Sequence, residues 1–258
     1  MQRRGIRGLV LGVGLSALLL AACGSSGGTA GTSTGNSSQK SGATSLGITA
    51  ANGQIEVNLP FNADLFDVPN GTTFDGTSFD DGGNTLNATN IGKPGQISAT
   101  IGGTSVSFNV PTMDNKHDSG VQMKIGDKAI TVKVPKGTYK EMYLLEGAGN
   151  GPGNIDVTPL YSDGSSGKAR TVQIDDWCAL AVGDQPAAGA VQVLIAQSRL
   201  DSSGATATPA GCGMEGIGVQ LNSSKTMTGF TLGNVQLAGK NTDSKDLRIN
   251  IAGVTLQP

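Results

Sequence analysis

Apolar and polar residues alternate with a period of two along most of this chain. No stretch of the body keeps a 3.6-residue apolar period over ten or more positions. Val106, Phe108 and Val110 alternate with Ser105, Ser107 and Asn109, and Val121, Met123 and Ile125 with Gln122 and Lys124. Ile130, Val132 and Val134 alternate with Thr131 and Lys133, and Leu247, Ile249 and Ile251 with Arg248 and Asn250. Successive side chains on a strand point to opposite faces, so this spacing predicts antiparallel strands with one face on a core and one in water. Further strands are predicted at 54–59, 142–147, 155–161, 169–174, 190–197, 217–221 and 227–232. Asn70-Gly71, Asp81-Gly82-Gly83, Lys93-Pro94-Gly95, Gly151-Pro152-Gly153 and Asp163-Gly164 supply turn chemistry between them.

Composition narrows the choice further. Forty of the 258 residues are Gly and only 15% are charged, which argues against a helical bundle, since Gly costs a helix interior about 1 kcal/mol relative to Ala. A hydrophobic share of 37% argues against full disorder. With 18 Lys+Arg against 20 Asp+Glu the chain has no basic field for nucleic acid. A single His leaves few routes to imidazole catalysis or a His-rich metal site. Many short strands punctuated by Gly and Pro predict an all-β, antiparallel β-sandwich, here one domain over residues 47–258.

The first 22 residues read as a secretory signal. Arg3, Arg4 and Arg7 precede a 14-residue apolar run from Leu9 to Ala22, shorter than the roughly 20 residues a spanning helix needs. The run ends in Leu20-Ala21-Ala22-Cys23-Gly24, the pattern of a bacterial lipobox with Cys23 as the lipidated residue. Residues 23–46 then form a Gly/Ser/Thr-rich tether with one charge, Lys40. These features predict an extracytoplasmic protein of the cell membrane or envelope, anchored by acyl chains. The remaining cysteines, Cys178 and Cys212, have no His beside them in sequence and in an oxidising compartment most simply form a disulfide.

Several segments carry a resemblance. Phe61-Asn62-Ala63-Asp64, Phe74-Asp75-Gly76 and Phe79-Asp80-Asp81-Gly82-Gly83-Asn84 resemble the opening of galactose-binding-like sandwich domains associated with bacterial glycoside hydrolases. Glu141 to Leu145 with Gly147-Ala148, Tyr161 to Ser165, Ile174 to Trp177 and the closing Arg248 to Leu256 are similar to later segments of that family, in order. The resemblance implies a jelly-roll of two antiparallel sheets and a carbohydrate ligand. The chain departs from the family at Asn84-Thr85-Leu86-Asn87 and at residues 183–189, where rings suited to stacking on a sugar are missing.

Glycoside hydrolysis needs a pair of carboxylates. Asp80/Asp81 and Asp175/Asp176 are sequence neighbours, and on a strand neighbours point to opposite faces, which makes them poor acid/base pairs for glycoside hydrolysis. Asp163 and Glu215 are the other candidates. Asn62, Asp64, Asp75, Asp80 and Asp81 lie within 20 residues in Gly-rich sequence and could supply oxygen ligands to a structural calcium ion. His117, in a polar run between strands, reads as an exposed loop residue. Trp177 and Tyr161 read as core. Phe66 is expected on an exposed loop as the ring most available to a ligand, with Tyr139 and Tyr143 next. The resulting expectation is a non-catalytic, membrane-anchored binding protein whose most favoured partner is a glycan. A structural or protein-interaction module of the envelope is the alternative, and a glycoside hydrolase the third reading.

Overall fold

Strands make up about half of the described residues after residue 46. The computed structural model describes residues 46–50, 52–69, 78–91, 93–95, 97–179, 186–195, 198–207, 211–239 and 245–258, which belong to a compact unit spanning Ala43–Pro258. The signal, the lipidated Cys23 and nearly all of the tether lie outside the described residues.

The strands are β1 (Gly47–Thr49), β2 (Ile55–Val57), β3 (Phe66–Asp67), β4 (Thr85–Asn87), β5 (Ile97–Ile101) and β6 (Thr104–Phe108). They continue with β7 (Val121–Lys124), β8 (Ile130–Gly137), β9 (Glu141–Gly149), β10 (Gly153–Tyr161), β11 (Arg170–Ile174) and β12 (Ala190–Ile195). The last are β13 (Arg199–Leu200), β14 (Thr206–Ala207), β15 (Gly213–Gln220), β16 (Met227–Leu237) and β17 (Arg248–Gln257). A 3₁₀ turn, Ala88–Asn90, is capped by the Asn87 side chain.

The fold is an all-β sandwich. One sheet has the order β1-β2-β17-β9-β15-β12, and β7 also pairs with β17. β7 takes the Arg248 end of that edge and β2 the Leu256 end. Facing it is a four-stranded sheet, β11-β10-β16-β8. Between them lies an apolar core that includes Met142, Leu144, Ile155, Val157, Phe230, Ile249 and Ile251.

A third layer departs from a plain two-sheet sandwich. The short strands β14-β13-β4-β3 and the hairpin β5-β6 cover the other face of the large sheet. A second core forms there from Leu65, Phe66, Phe79, Phe108, Tyr143, Leu145, Trp177 and Met214. Covering both faces explains why β9 and β17 are buried along almost their whole length, where a strand with one wet face would alternate.

The first segment of the resemblance acts as the clamp for that third layer. Asn62 Oδ1 accepts from the Gln122 backbone N–H (2.7 Å), and its Nδ2 donates to the Gln122 carbonyl (3.2 Å). Gln122 Nε2 donates to the Ser78 carbonyl and to Asn250 Oδ1, and Asn250 Nδ2 donates to the Phe79 carbonyl (2.8 Å). Asn250 is fully buried, so each of these bonds replaces one that water would otherwise supply. Phe79 then stacks on Trp177, with ring centroids 4.3 Å apart and planes 12° from parallel.

Cys178 and Cys212 form a disulfide across a sequence separation of 34, as expected. Asp176 organises the same corner by accepting from the backbone N–H groups of Gly151 and Cys178. On the chain-entropy model, breaking the disulfide with Cys178→Ser and Cys212→Ser together is expected to lower stability by roughly 3.5–4 kcal/mol, read by chemical denaturation. Asn250→Leu strands the Phe79 carbonyl and one of the two Gln122 amide N–H groups, and is expected to cost about 1–3 kcal/mol in the same measurement.

Candidate functional site

The two main sheets part along one side, where the edge strand β11 faces β15. A cleft of about 540 Å³ opens there, walled by Arg170 to Gln173, by Ala187 and Ala188, and by Ile217 to Gln220. A second hollow of about 270 Å³ adjoins it and shares Arg170 and Gln220 with the first, so the two form one groove. Its far end is lined by Pro159, Tyr161, Lys168, Asn222 and Lys225, from the end of β10, the β10–β11 turn and the chain after β15.

The strand register explains the lining. Arg170 pairs with Val157, a core residue, so its side chain starts on the inner face of β11 at the point where the core ends. At the far end Lys225 Nζ donates to Asp163 Oδ2 (3.0 Å) and Ser165 Oγ (2.8 Å) and lies 5.2 Å from the centre of the Tyr161 ring. The Ser165 hydroxyl and backbone N–H, with Lys225, hold the Asp163 carboxyl well below the usual carboxylate range.

The strongest electrostatic anomaly lies behind the cleft. Glu146 on β9 stands directly opposite Glu215 on β15 and, on its other side, opposite Ile251 of β17. Glu146 is fully buried, and neither of its oxygens has a hydrogen-bond partner; Glu215 Oε2 also lacks one. Burial, then the charges of Glu215 and Asp175, push the Glu146 carboxyl well above its ordinary range. Glu215 is pushed up to about 7, by burial first and by Asp175 second, against a hydrogen bond from the Ala187 backbone. Ala187 is itself a wall of the cleft, so the pair is linked to the groove by one hydrogen bond. Sequence reasoning marked Glu215 but passed over Glu146, although a lone Glu inside the apolar run from Met142 to Ala148 was the available signal.

The residues singled out in the sequence fare differently. Phe66, expected on an exposed loop, is on β3 and fully buried in the second core. The Asp and Pro residues around it suggested a loop, but the third layer roofs that segment. Tyr139 and Tyr143 are also buried, their hydroxyls donating to the Pro135 carbonyl (2.6 Å) and to Glu141 Oε2 (2.8 Å). These three rings are therefore corrected from ligand platform to core. Trp177 and Tyr161 are core residues as expected, and His117 is exposed, with Nδ1 2.9 Å from Asp114 Oδ1.

The proposed calcium ligands are not brought together. Asn62 holds Gln122, Asp80 Oδ1 accepts from the Gly82 and Asn84 backbone N–H groups, and Asp81 Oδ1 accepts from Asn150 Nδ2. Asp64 is buried and accepts from the Ser119 hydroxyl (3.3 Å), while Asp75 lies outside the described residues. Among the described residues no group of three or more His, Cys, Asp or Glu side chains is placed to hold a metal ion. The described members of the set make turn and clamp bonds instead.

No protein-family model matches the chain, and no curated protein matches it. Among solved structures it is similar to one described as "Structural analysis of an exo-beta-agarase", at 10% identity and a TM-score of 0.28. That match covers 69% of this chain and 25% of the other. So distant a likeness carries no argument about ligand or activity, and the functional reading rests on the groove.

A group whose folded pKa is raised binds its proton more tightly in the native state, so its contribution favours folding in acid and is lost as pH rises through the folded value. With Glu215 near 7 and Glu146 raised as well, stability is expected to fall between about pH 5 and pH 8. Glu146→Gln removes the buried acid and offers Glu215 a donor. It is expected to flatten that slope and raise the melting temperature at pH 8 by about 2–4 °C, the shift that 1 kcal/mol gives a domain of this size.

Proposed function

We propose that this protein is a non-catalytic, carbohydrate-binding lipoprotein of the cell envelope, and that the groove between β11 and β15 is its ligand site. The observation that carries this reading is the character of the lining. Gln220, Asn222 and Arg170 present planar amide and guanidinium groups, and no Asp or Glu among the described residues lines either hollow. Paired donors and acceptors of this kind suit the hydroxyls of a sugar ring.

A binding role is favoured over hydrolysis because Glu146 and Glu215, the carboxylates with raised pKa values, are buried behind the groove wall. Glycoside hydrolysis needs two carboxyl groups flanking the bond to be cut. The resemblance to galactose-binding-like domains supports the same reading. The lipobox ending in Cys23 supports an acyl anchor on the outer side of a membrane. No helix among the described residues is long and apolar enough to cross a membrane.

The test is binding of the soluble chain from Gly24 onward to a panel of polysaccharides, with calcium and with chelator. Saturable binding is expected, weakened about tenfold by Gln220→Ala, the loss of roughly one well-made hydrogen bond to ligand. Phe66→Leu should leave it unchanged. Absence of binding to every glycan would sink the proposal and turn attention to an envelope protein as partner; the half-exposed Ile48 on the edge strand β1 favours that second reading. Anchoring is tested separately: Cys23→Ser is expected to move the protein from the membrane fraction to the soluble one.

A further inference from the structure

We infer that the groove takes an acidic glycan, a sugar chain carrying carboxylate or sulfate groups, with Arg170 and Lys168 as the residues that engage the anion. This inference rests on the carbohydrate reading above and adds the charge class of the ligand.

The chain as a whole is slightly acidic, with a formal net charge of −2. The groove runs against that balance, since Lys168, Arg170 and Lys225 line it and, among the described residues, no acidic side chain does. The three cations play different parts. Lys225 is committed to Asp163 and Ser165 and held near the Tyr161 ring, so it is a fixed and partly neutralised feature of the far end. Lys168 and Arg170 are exposed, and neither forms an ion pair among the described residues. Arg170 also lies where the two hollows meet, because it lines both.

The surroundings favour an anion at that point. The carboxylates nearest these cations along the chain or across the β10–β11 pair are turned to other work: Asp175 accepts from Gln173 Nε2 (3.1 Å) and Asp176 from the Gly151 and Cys178 backbone N–H groups. Asp156 accepts from Thr171 Oγ1 (2.6 Å) and Asn234 Nδ2 (2.7 Å), and Asp163 is bound by Ser165 and Lys225. A guanidinium offers a fork of donors matched to carboxylate or sulfate oxygens, and a neighbouring ammonium adds a point charge. A neutral sugar would leave both cations unpaired against the groove wall, whereas a charged one pairs them. The amides of Gln220 and Asn222 are then left to read hydroxyls.

The test uses matched polymers and the soluble chain from Gly24 onward. Polygalacturonate is compared with its methyl ester, and dextran sulfate with dextran, which separates the carboxylate source of charge from the sulfate source. Binding to at least one acidic polymer is expected to exceed binding to its neutral counterpart by tenfold or more and to weaken as salt rises. Arg170→Ala and Lys168→Ala are each expected to reduce it about tenfold. Both residues are exposed, and circular dichroism serves to confirm that the variants fold. Equal binding of charged and neutral polymers, with no effect of Arg170→Ala, would overturn the charge class and leave the glycan reading standing. Binding to no polymer of either kind would overturn both. Binding of polyglutamate as tightly as the acidic sugars would show recognition of charge without sugar, and would overturn the glycan reading.

Discussion

The pairing of β9 with β17 is the constraint on which the rest of the molecule depends. These two strands run antiparallel over most of their length at the centre of the large sheet, and both of their faces are covered. A strand in that position cannot satisfy polar side chains with water, so each one it carries needs an internal partner. Asn250 meets this requirement and gains a structural role from it: its amide links Gln122 to the Phe79 carbonyl. The chain before β5 is thereby fixed to the sheet, and Phe79 is delivered to Trp177.

Glu146 sits on the same strand pair and lacks such a partner. Its neighbour across the strands is another carboxyl group, and Asp175 adds like charge. Leaving a proton on a buried acid costs far less than burying its charge, which is why both pKa values move upward. The effect is confined to one side of the sandwich, where Glu215 also receives the Ala187 backbone bond at the cleft wall. Fold and groove therefore meet at this pair. It belongs to the central sheet, yet its protonation bears on a segment that a ligand would touch.

Most of the strand layout was legible in the sequence because period-two alternation survives wherever one face stays wet. The alternation of 105–110 and 130–134 reads directly onto β6 and β8. Legibility failed where a strand was very short. β3 and β4 are two and three residues long, too short to show a period, and their burial comes from a layer whose presence no local pattern announces. That is why Phe66 read as a loop residue. The Asn62 and Asp80 motifs were visible as unusual sequence, but their chemistry served the clamp and the turn rather than calcium. The groove was not legible at all, because its walls come from four separate stretches of the chain that meet only after the sheets have formed. Glu146 was the recoverable signal, a single acid in a run otherwise small or apolar.

The position of the disulfide has a bearing on how the groove walls are held. Cys178 follows β11 by four residues, and Cys212 immediately precedes β15; these are the two strands that wall the cleft. Their corner is joined a second time by the Gly213 backbone N–H donating to the Trp177 carbonyl at 2.6 Å. The walls are thus riveted at one end and tied only by non-covalent contacts at the other, near Lys168 and Lys225. At that end the spacing of the walls is set covalently, whereas at the other it follows from strand pairing and core packing alone.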